Sequence, residues 1–408
     1  MGAILKLMCR PNWAAGTDLV ARYESDFAAT VLNAPVTCLA FWRARVALWT
    51  ILRALGIGQG DEVVVPAYTC EMVPAAVRFT GASCRYADVA PNDFNASPET
   101  LAAALGEQTR AIVCQHTYGV GLPIDRWKQR AEQAGCALLE DCCQLVETGV
   151  AGRGITGAAS FFSTQWSKPY TTGLGGMAAF TDPALCEKSR EFRSAFPTEG
   201  NRGKSRSLVL QVLAYRATVR PATRAVVGKL YRWAQHLGLV RGTTTPEEYG
   251  DTIPDDYLSG ATNAQAVLGM AQLTRWRQNV EHRRMLTGLY LDRLGAMGIN
   301  TSALTRASQS PALWAVPLLV ENKSEILQLA GRKGLPIATW FGRTPAHIHP
   351  DTAARYNYRP GQCPAAERLF AREIHLVTSP SVCPERADRA VALLRDQAIR
   401  VENREDVD

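Results

Sequence analysis

The chain has 408 residues, 47% apolar and 20% charged, with 32 Gly and 22 Pro, which excludes a disordered, collagen-like or disulfide-scaffold protein and leaves room for two or three domains with a buried core. The formal charge of +7 is local: residues 202–241 carry nine Lys or Arg and no acid, and the remainder carries 36 basic against 38 acidic residues. No basic zipper, zinc finger or aromatic RNA-binding motif accompanies that segment, so nucleic acid is not an expected partner.

No apolar run approaches the roughly 18 residues of a membrane span, and the apolar part of the N-terminus is too short for a secretory signal, which predicts a cytoplasmic protein. The eleven cysteines are an odd number scattered through predicted strands and helices, without a C-x-x-C. They read as buried thiols, and no metal is expected.

In chain order, Leu39 to Leu55 has helical spacing and ends at Gly56, a glycine suited to the position just past a helix. Asp61 to Pro66 reads as a buried strand, Glu71 to Thr80 as a helix, Cys84 to Val89 as a strand, Pro98 to Leu105 as a helix, Arg110 to Gln115 as a strand and Ile124 to Gln133 as a helix. Further strands follow at Cys136 to Asp141, Ala158 to Thr164 and Met177 to Thr181. This alternation predicts an α/β fold with a mostly parallel sheet.

A long helical pattern then runs from Asn263 to Met297. Beyond it, strands near Leu313 to Val320 and Ile374 to Thr378 mix with helices near Ser324 to Lys333, Pro364 to Ala371 and Pro384 to Arg395. The expected division is a large domain over 1–262 with a basic helical insertion at about 202–245, a linking helix over 263–299, and a small α+β domain over 300–408.

Gly152-Arg-Gly154-Ile-Thr-Gly157 matches a dinucleotide fingerprint as a string, but it precedes a strand, whereas phosphate binding needs it after a strand and opening a helix. It is read as a loop. Ligands of open parallel sheets gather at the carboxyl ends of strands, where Asp141 and Lys168 both fall. Lys168 follows an apolar strand among hydroxyl residues and glycines. It is either a snorkelling lysine at a strand end or a Schiff-base lysine, whose amine must shed a proton to attack an aldehyde. Asp141 is either a helix N-cap or the acid that keeps a pyridine nitrogen protonated; a close opposite charge shifts a pKa by roughly 1–3 units.

The segments Ala54 to Thr69, Tyr86 to Asn95, His116-Thr-Tyr-Gly119, Glu140-Asp-Cys-Cys-Gln144, Ser163 to Lys168, Gly175-Gly176 and Cys363 to Arg368, in this order and spacing, resemble the DegT/StrS-like sugar aminotransferases over nearly the whole length. These are pyridoxal-phosphate enzymes of fold type I, with a large domain built on a mostly parallel seven-stranded sheet and a small C-terminal domain.

The resemblance implies that Lys168 forms the Schiff base with pyridoxal 5′-phosphate and shuttles the proton. Asp141 would pair with the pyridinium nitrogen, Gln144 would bond the phenolic oxygen, and Ser163 would bind phosphate. It also implies a homodimer, an amino donor such as glutamate or glutamine, and a keto sugar nucleotide or cyclitol as acceptor.

The helix start at Arg43-Ala44-Arg45 stands where the family carries Ser-Gly-Thr, so its amides face the phosphate. The two arginines either contact that phosphate, the favoured reading, or turn into salt bridges. The family's ring-stacking aromatic is here Cys70, which leaves Tyr68 as the candidate cover. Tyr257 to Gln265 also lacks the usual pattern by which a neighbouring subunit holds the phosphate. His116 is read as a structural or substrate-side residue, and Trp340, Arg343 and His347 are acceptor-side candidates.

In the basic segment, Val226, Leu230, Trp233 and Leu237 recur at helical spacing with interleaved arginines. That stripe suits either an arm packed on the protein itself or a peripheral contact with an anionic membrane. A sugar dehydratase is the alternative enzyme reading, although such relatives replace the lysine by histidine. A non-catalytic cofactor-binding scaffold or regulator is the other alternative.

Overall fold

The computed structural model describes residues 18–196, 201–218, 233, 242, 244–306, 308–340 and 350–399. The strands β1 (Thr37–Phe41), β2 (Glu62–Pro66), β3 (Ser83–Ala87), β4 (Thr109–Gln115), β5 (Ala137–Asp141), β6 (Ala159–Ser163) and β7 (Gly176–Phe180) form one sheet in the order β1-β7-β6-β5-β4-β2-β3. From β6 to β3 the pairs are parallel, while β7 lies antiparallel between β1 and β6. The carboxyl ends of β1, β2, β4, β5 and β6 therefore share one edge with the amino end of β7.

Both faces of the sheet are covered, which explains its nearly unbroken apolar strands. Val63, Val65, Ala111, Val113 and Leu139 enter the main core, while the alternating Val64, Ile112, Cys114 and Leu138 pack with Leu101, Ile124 and Trp127 on the other face. The latter residues belong to the helices Pro98–Ala104 and Ile124–Gln133.

Two expectations are corrected. The helical spacing of Leu39 to Leu55 spans a strand and a helix: Leu39, Ala40 and Phe41 pair with Ala178, Met177 and Gly176, and the helix is Ala44–Ala54. A short apolar run satisfies either period, and tertiary pairing decides. Gly56 does follow the helix, at φ +78°, where a Cβ would be strained. The long pattern after Asn263 is two helices, Asn263–Leu273 and Trp276–Ala296. The Thr274 hydroxyl bonds Ala271 O, and Arg275 leaves helical geometry at φ −115°, ψ 7°.

In the C-terminal part, β8 (Ala315–Leu319), β10 (Glu373–Val377) and the two-residue β9 (Ile337–Ala338) form an antiparallel sheet in the order β8-β10-β9. The helices Lys323–Lys333 and Pro384–Gln397 pack against each other beside it. Within the basic segment, Leu208, Val209 and Val212 of the helix Asn201–Thr218 are buried with Trp42, Leu174 and Ala264. That part is an arm packed on its own chain. Of the predicted membrane-facing stripe only Trp233 is described, and it is exposed; Val226, Leu230 and Leu237 lie outside the described residues. Among the described residues no helix is long and apolar enough to cross a membrane.

Candidate active site at the carboxyl edge of the sheet

A cavity with about 640 Å³ of empty space, part of it open to solvent, lies at that edge, lined by Lys168, Asp141, Gln144, Ser163, Arg43, Ala44, Arg45 and Trp340. Lys168 sits in a loop that leaves β6 and folds back on itself. Thr164 N–H bonds Gly175 O at 3.0 Å, Thr172 N–H bonds Thr164 O at 2.7 Å, and Lys168 N–H closes a turn on Gln165 O at 3.0 Å. The lysine is 8% exposed. It lines the cavity and does not snorkel to the surface.

Asp141 ends β5, and no helix follows it. Its Oδ1 accepts the Cys143 N–H at 2.9 Å in an Asx-type turn, which removes the N-cap reading. Burial pushes the carboxyl above its usual range, against the pull of the Cys143 N–H and the Lys168 charge. Beside it, Gln144 Oε1 accepts the Tyr118 N–H at 2.5 Å. That bond fixes the amide and leaves Nε2 buried without a protein partner. A buried N–H on a cavity wall implies a ligand acceptor, because leaving it unmet costs about 1–3 kcal/mol.

Phe41 and Ser163, at the ends of β1 and β6, stand opposite Gly176. A Cβ on Gly176 would lie 2.4 Å from Ala44 N, so only glycine lets β7 approach the helix start. Arg43, the residue before the helix, is extended and makes no side-chain cap, and the first turn holds no acid. The N–H groups there suit an anion.

Both guanidiniums are paired with carboxylates. Arg43 Nη2 bonds Asp256 Oδ2 at 3.0 Å and Gly242 O at 3.1 Å, and Arg45 pairs with Glu248. Lys204 Nζ meets the same Asp256 at 2.9 Å. The favoured expectation of guanidinium contact with phosphate is thus corrected to the salt-bridge alternative: buried cations need carboxylates, and the stretch after the basic segment supplies them. Burial works against the Arg45 charge, but Glu248 raises its affinity for the proton overall.

Two candidates do not line the cavity. Tyr68 is 1% exposed, and its hydroxyl meets the Tyr118 hydroxyl at 2.8 Å in an aromatic cluster; Cys70 lines the cavity in its place. His116 is fully buried beneath the edge, which sets aside the substrate-side reading and leaves the structural one. Its Nδ1 accepts the Leu122 N–H at 3.2 Å, so Nε2 carries the proton donated to Glu140 Oε2 at 3.1 Å. Glu140 also accepts N–H bonds from Gly154 at 2.7 Å and from Thr156 and Gly157 at 2.9 Å.

The glycine-rich string therefore cradles an internal carboxylate. His116, Glu140 and Cys142 lie close enough for a metal, but the four donors occupy the Glu140 oxygens. Trp340 lines the cavity at 3% exposure, its backbone N–H on Glu373 Oε2 at 3.0 Å. Arg343 and His347 lie outside the described residues.

Sequence reasoning missed Asp256 and Glu248 as arginine partners, although the acids that follow the basic segment were a signal. It also missed Cys143 on the cavity wall, and Trp314, whose ring stands 5.6 Å from Lys168 Nζ. Cys143 lies within the Glu140 to Gln144 motif, between the two residues given a role there, whereas no local pattern marked Trp314.

The spore coat polysaccharide biosynthesis protein SpsC of Bacillus subtilis (strain 168) is 26% identical over 393 residues, covering 94% of this chain and 91% of that protein. The L-glutamine:2-deoxy-scyllo-inosose aminotransferase of Streptomyces kanamyceticus is 33% identical over 159 residues, 38% of this chain and 37% of that enzyme. A solved structure of S. venezuelae DesV, in complex with a ketimine intermediate, has the same fold, with a TM-score of 0.73 at 21% identity, covering 98% of this chain and 94% of that one. A family profile described as the DegT/DnrJ/EryC1/StrS aminotransferase family matches residues 3–217 and 257–395, stepping over much of the basic segment and the acidic stretch after it. With most of the chain matched on both sides of that gap, the protein belongs to the DegT/DnrJ/EryC1/StrS aminotransferase family.

Proposed function

We propose that this aminotransferase carries pyridoxal 5′-phosphate in the cavity and moves an amino group from glutamate or glutamine to a keto sugar nucleotide or a related cyclitol. One observation carries the reading: a buried amine, a buried carboxyl and an amide N–H without a protein partner, from Lys168, Asp141 and Gln144, converge on one cavity above a helix start. An aldehyde, a pyridine nitrogen, a phenolic oxygen and a phosphate match that donor set.

When bound, the cofactor supplies an electron sink for the substrate carbon that loses its proton. Lys168 Nζ would hold the cofactor covalently, and its amine would take up and return that proton. Asp141 would keep a proton on the ring nitrogen, and Gln144 Nε2 would donate to the phenolic oxygen. The Ser163 hydroxyl and the amides of Ala44 and Arg45 would bind the phosphate. Cys70, Cys143 and Trp340 line the same cavity, and Trp340 would contact the acceptor. The proposed assembly is a homodimer, supported by the exposed Leu210 and Tyr215 of the helix Asn201–Thr218; light scattering in solution tests it.

Glutamate or glutamine added to the cofactor-loaded protein should convert the pyridoxal absorbance to that of the pyridoxamine form, and Lys168→Ala should slow the conversion by at least about 1,000-fold. Borohydride reduction and peptide mapping should find the cofactor on Lys168. A label elsewhere, or no conversion with either donor, overturns the reading. Nucleotide-linked keto sugars and inososes offered to the pyridoxamine form then identify the acceptor class.

A further inference from the structure

The two backbone carbonyls that flank Lys168 are both held from the C-terminal part of the chain. Trp314, just before β8, donates its indole N–H to Ser167 O at 2.8 Å. Asn279, on the helix Trp276–Ala296, donates its amide N–H to Pro169 O at 2.7 Å. Arg283, one turn further along that helix, ties the two together: Nε bonds Asn279 Oδ1 at 2.9 Å and Nη1 bonds Trp314 O at 3.1 Å. The circuit closes around the lysine from Ser167 through Trp314, Arg283 and Asn279 to Pro169.

Each member is itself fixed. The Thr378 hydroxyl, which follows β10, also bonds Trp314 O, at 2.6 Å, and Arg283 Nη1 reaches that hydroxyl at 3.0 Å. The backbone N–H of Trp314 bonds Tyr118 O at 2.9 Å, and the two rings stack with planes 18° apart. Tyr118 has φ +59°, strained for a bulky side chain. Gly119 follows at φ +84°, where a Cβ would lie 3.1 Å from Trp314 N. The same Tyr118 orients Gln144 through its N–H.

Arg283 is 3% exposed, and its bonds run to neutral oxygens of Asn279, Trp314 and Thr378. Burial lowers its pKa to about 10, which leaves it charged at neutral pH. A desolvated guanidinium held by neutral groups is costly. Its fork, however, sets the spacing between a carbonyl and an amide rigidly, as a single-point donor would not. The indole face completes the arrangement, with Lys168 Nζ within cation–π range at 5.6 Å.

We propose that Trp314, Arg283 and Asn279 form a positioning bracket that fixes the turn bearing Lys168 from both sides, so that the C-terminal segments set where its amine stands in the cavity. The proposal rests on the reading of Lys168 as the cofactor-bearing amine, and it assigns these three residues to placement of that amine beyond packing.

Asn279→Ala is the leading variant, because Asn279 is only half-buried and its loss disturbs the core least. Trp314→Phe keeps a ring face without the N–H, and Arg283→Lys keeps the charge without the fork. In the cofactor-free protein, amide hydrogen exchange across 164–172 should quicken in Asn279→Ala. In the loaded protein, borohydride-trapped attachment at Lys168 and kcat should each fall about tenfold, with KM for the amino donor within about twofold.

The pH midpoint of the visible absorbance should also move. Asp141, Cys70 and Cys143 interact with the Lys168 charge, Arg43 and Arg45 line the same cavity, and the variants leave all five in place. Arg283→Lys should recover part of the loss seen in Arg283→Met. Unchanged exchange across 164–172 would show that the bracket does not hold the turn. Faster exchange with wild-type attachment rate, kcat and pH midpoint would reduce the three residues to packing. Either result overturns the proposal, whereas wild-type protein that takes no label on Lys168 overturns the cofactor reading instead.

Discussion

Glu140 and Asp141 are consecutive residues of β5, and the pleat turns them to opposite faces of the sheet. Beneath the edge, Glu140 is fully buried and surrounded by N–H donors from His116, Gly154, Thr156 and Gly157. Burial alone would raise its pKa, but these bonds more than offset it and hold the carboxyl below its usual range. On the cavity side, Asp141 accepts from Cys143 N–H and is shifted upward by burial. Donor supply therefore separates two neighbours of the same chemistry. Glu140 is electrically complete within the fold, whereas at Asp141 the Cys143 N–H and the Lys168 charge do not offset burial, so a cation at the cavity would add to what stabilises its anion.

The sharpest way to break the comparison is to neutralise each acid in turn. Asp141→Asn should keep the fold and slow the glutamate half-reaction by about 100- to 1,000-fold, the worth of two to three pKa units at the ring nitrogen. The wild type should lose cofactor as pH falls through the raised pKa of Asp141, because a neutral carboxyl no longer pairs with a pyridinium. Equilibrium dialysis across acid pH reads that step, and Asn at 141 should flatten it.

Glu140→Gln should do the reverse, costing about 2–4 kcal/mol in urea unfolding at pH 7 while leaving kcat per folded molecule within about threefold. The Glu140 pKa is depressed in the folded state, so its stabilisation is complete above the unfolded value near 4.5 and is lost as pH drops through the folded value. The Gln variant should lack that acid-side slope. A large loss of kcat in folded Glu140→Gln would erase the distinction between the two faces.

The smallest effect belongs to Gln144→Leu, which removes the buried N–H donor and with it about tenfold in cofactor affinity. Dialysis against pyridoxal 5′-phosphate measures it.

The strand and helix rhythm from residue 61 to 181 could be read from side-chain period alone, because both sheet faces are buried and the connecting helices carry their own stripe. Lys168 and Asp141 stood out because reactive side chains at strand ends are few. Tyr68 was misplaced because it lies two residues beyond β2, where the chain has left the pleat and alternation no longer fixes direction. The arginines at the helix start were misread because their partners Glu248 and Asp256 lie about 200 residues away, beyond any local window. Trp314, Arg283 and Asn279 carry no motif. They matter only through the backbone carbonyls they meet, and carbonyls leave no trace in a residue pattern.

The place of β7 between β1 and β6 has a consequence for biosynthesis. When translation has delivered residues only as far as Ser163, the nascent chain already contains β1, Asp141 and Gln144, but it has neither the amine of Lys168 nor the Gly176 that seats the helix start. In the seven-stranded sheet β1 is joined to the other strands through β7. On the proposed reading, covalent loading at Lys168 would therefore need both this closing strand and the later segments that carry Asn279 and Trp314.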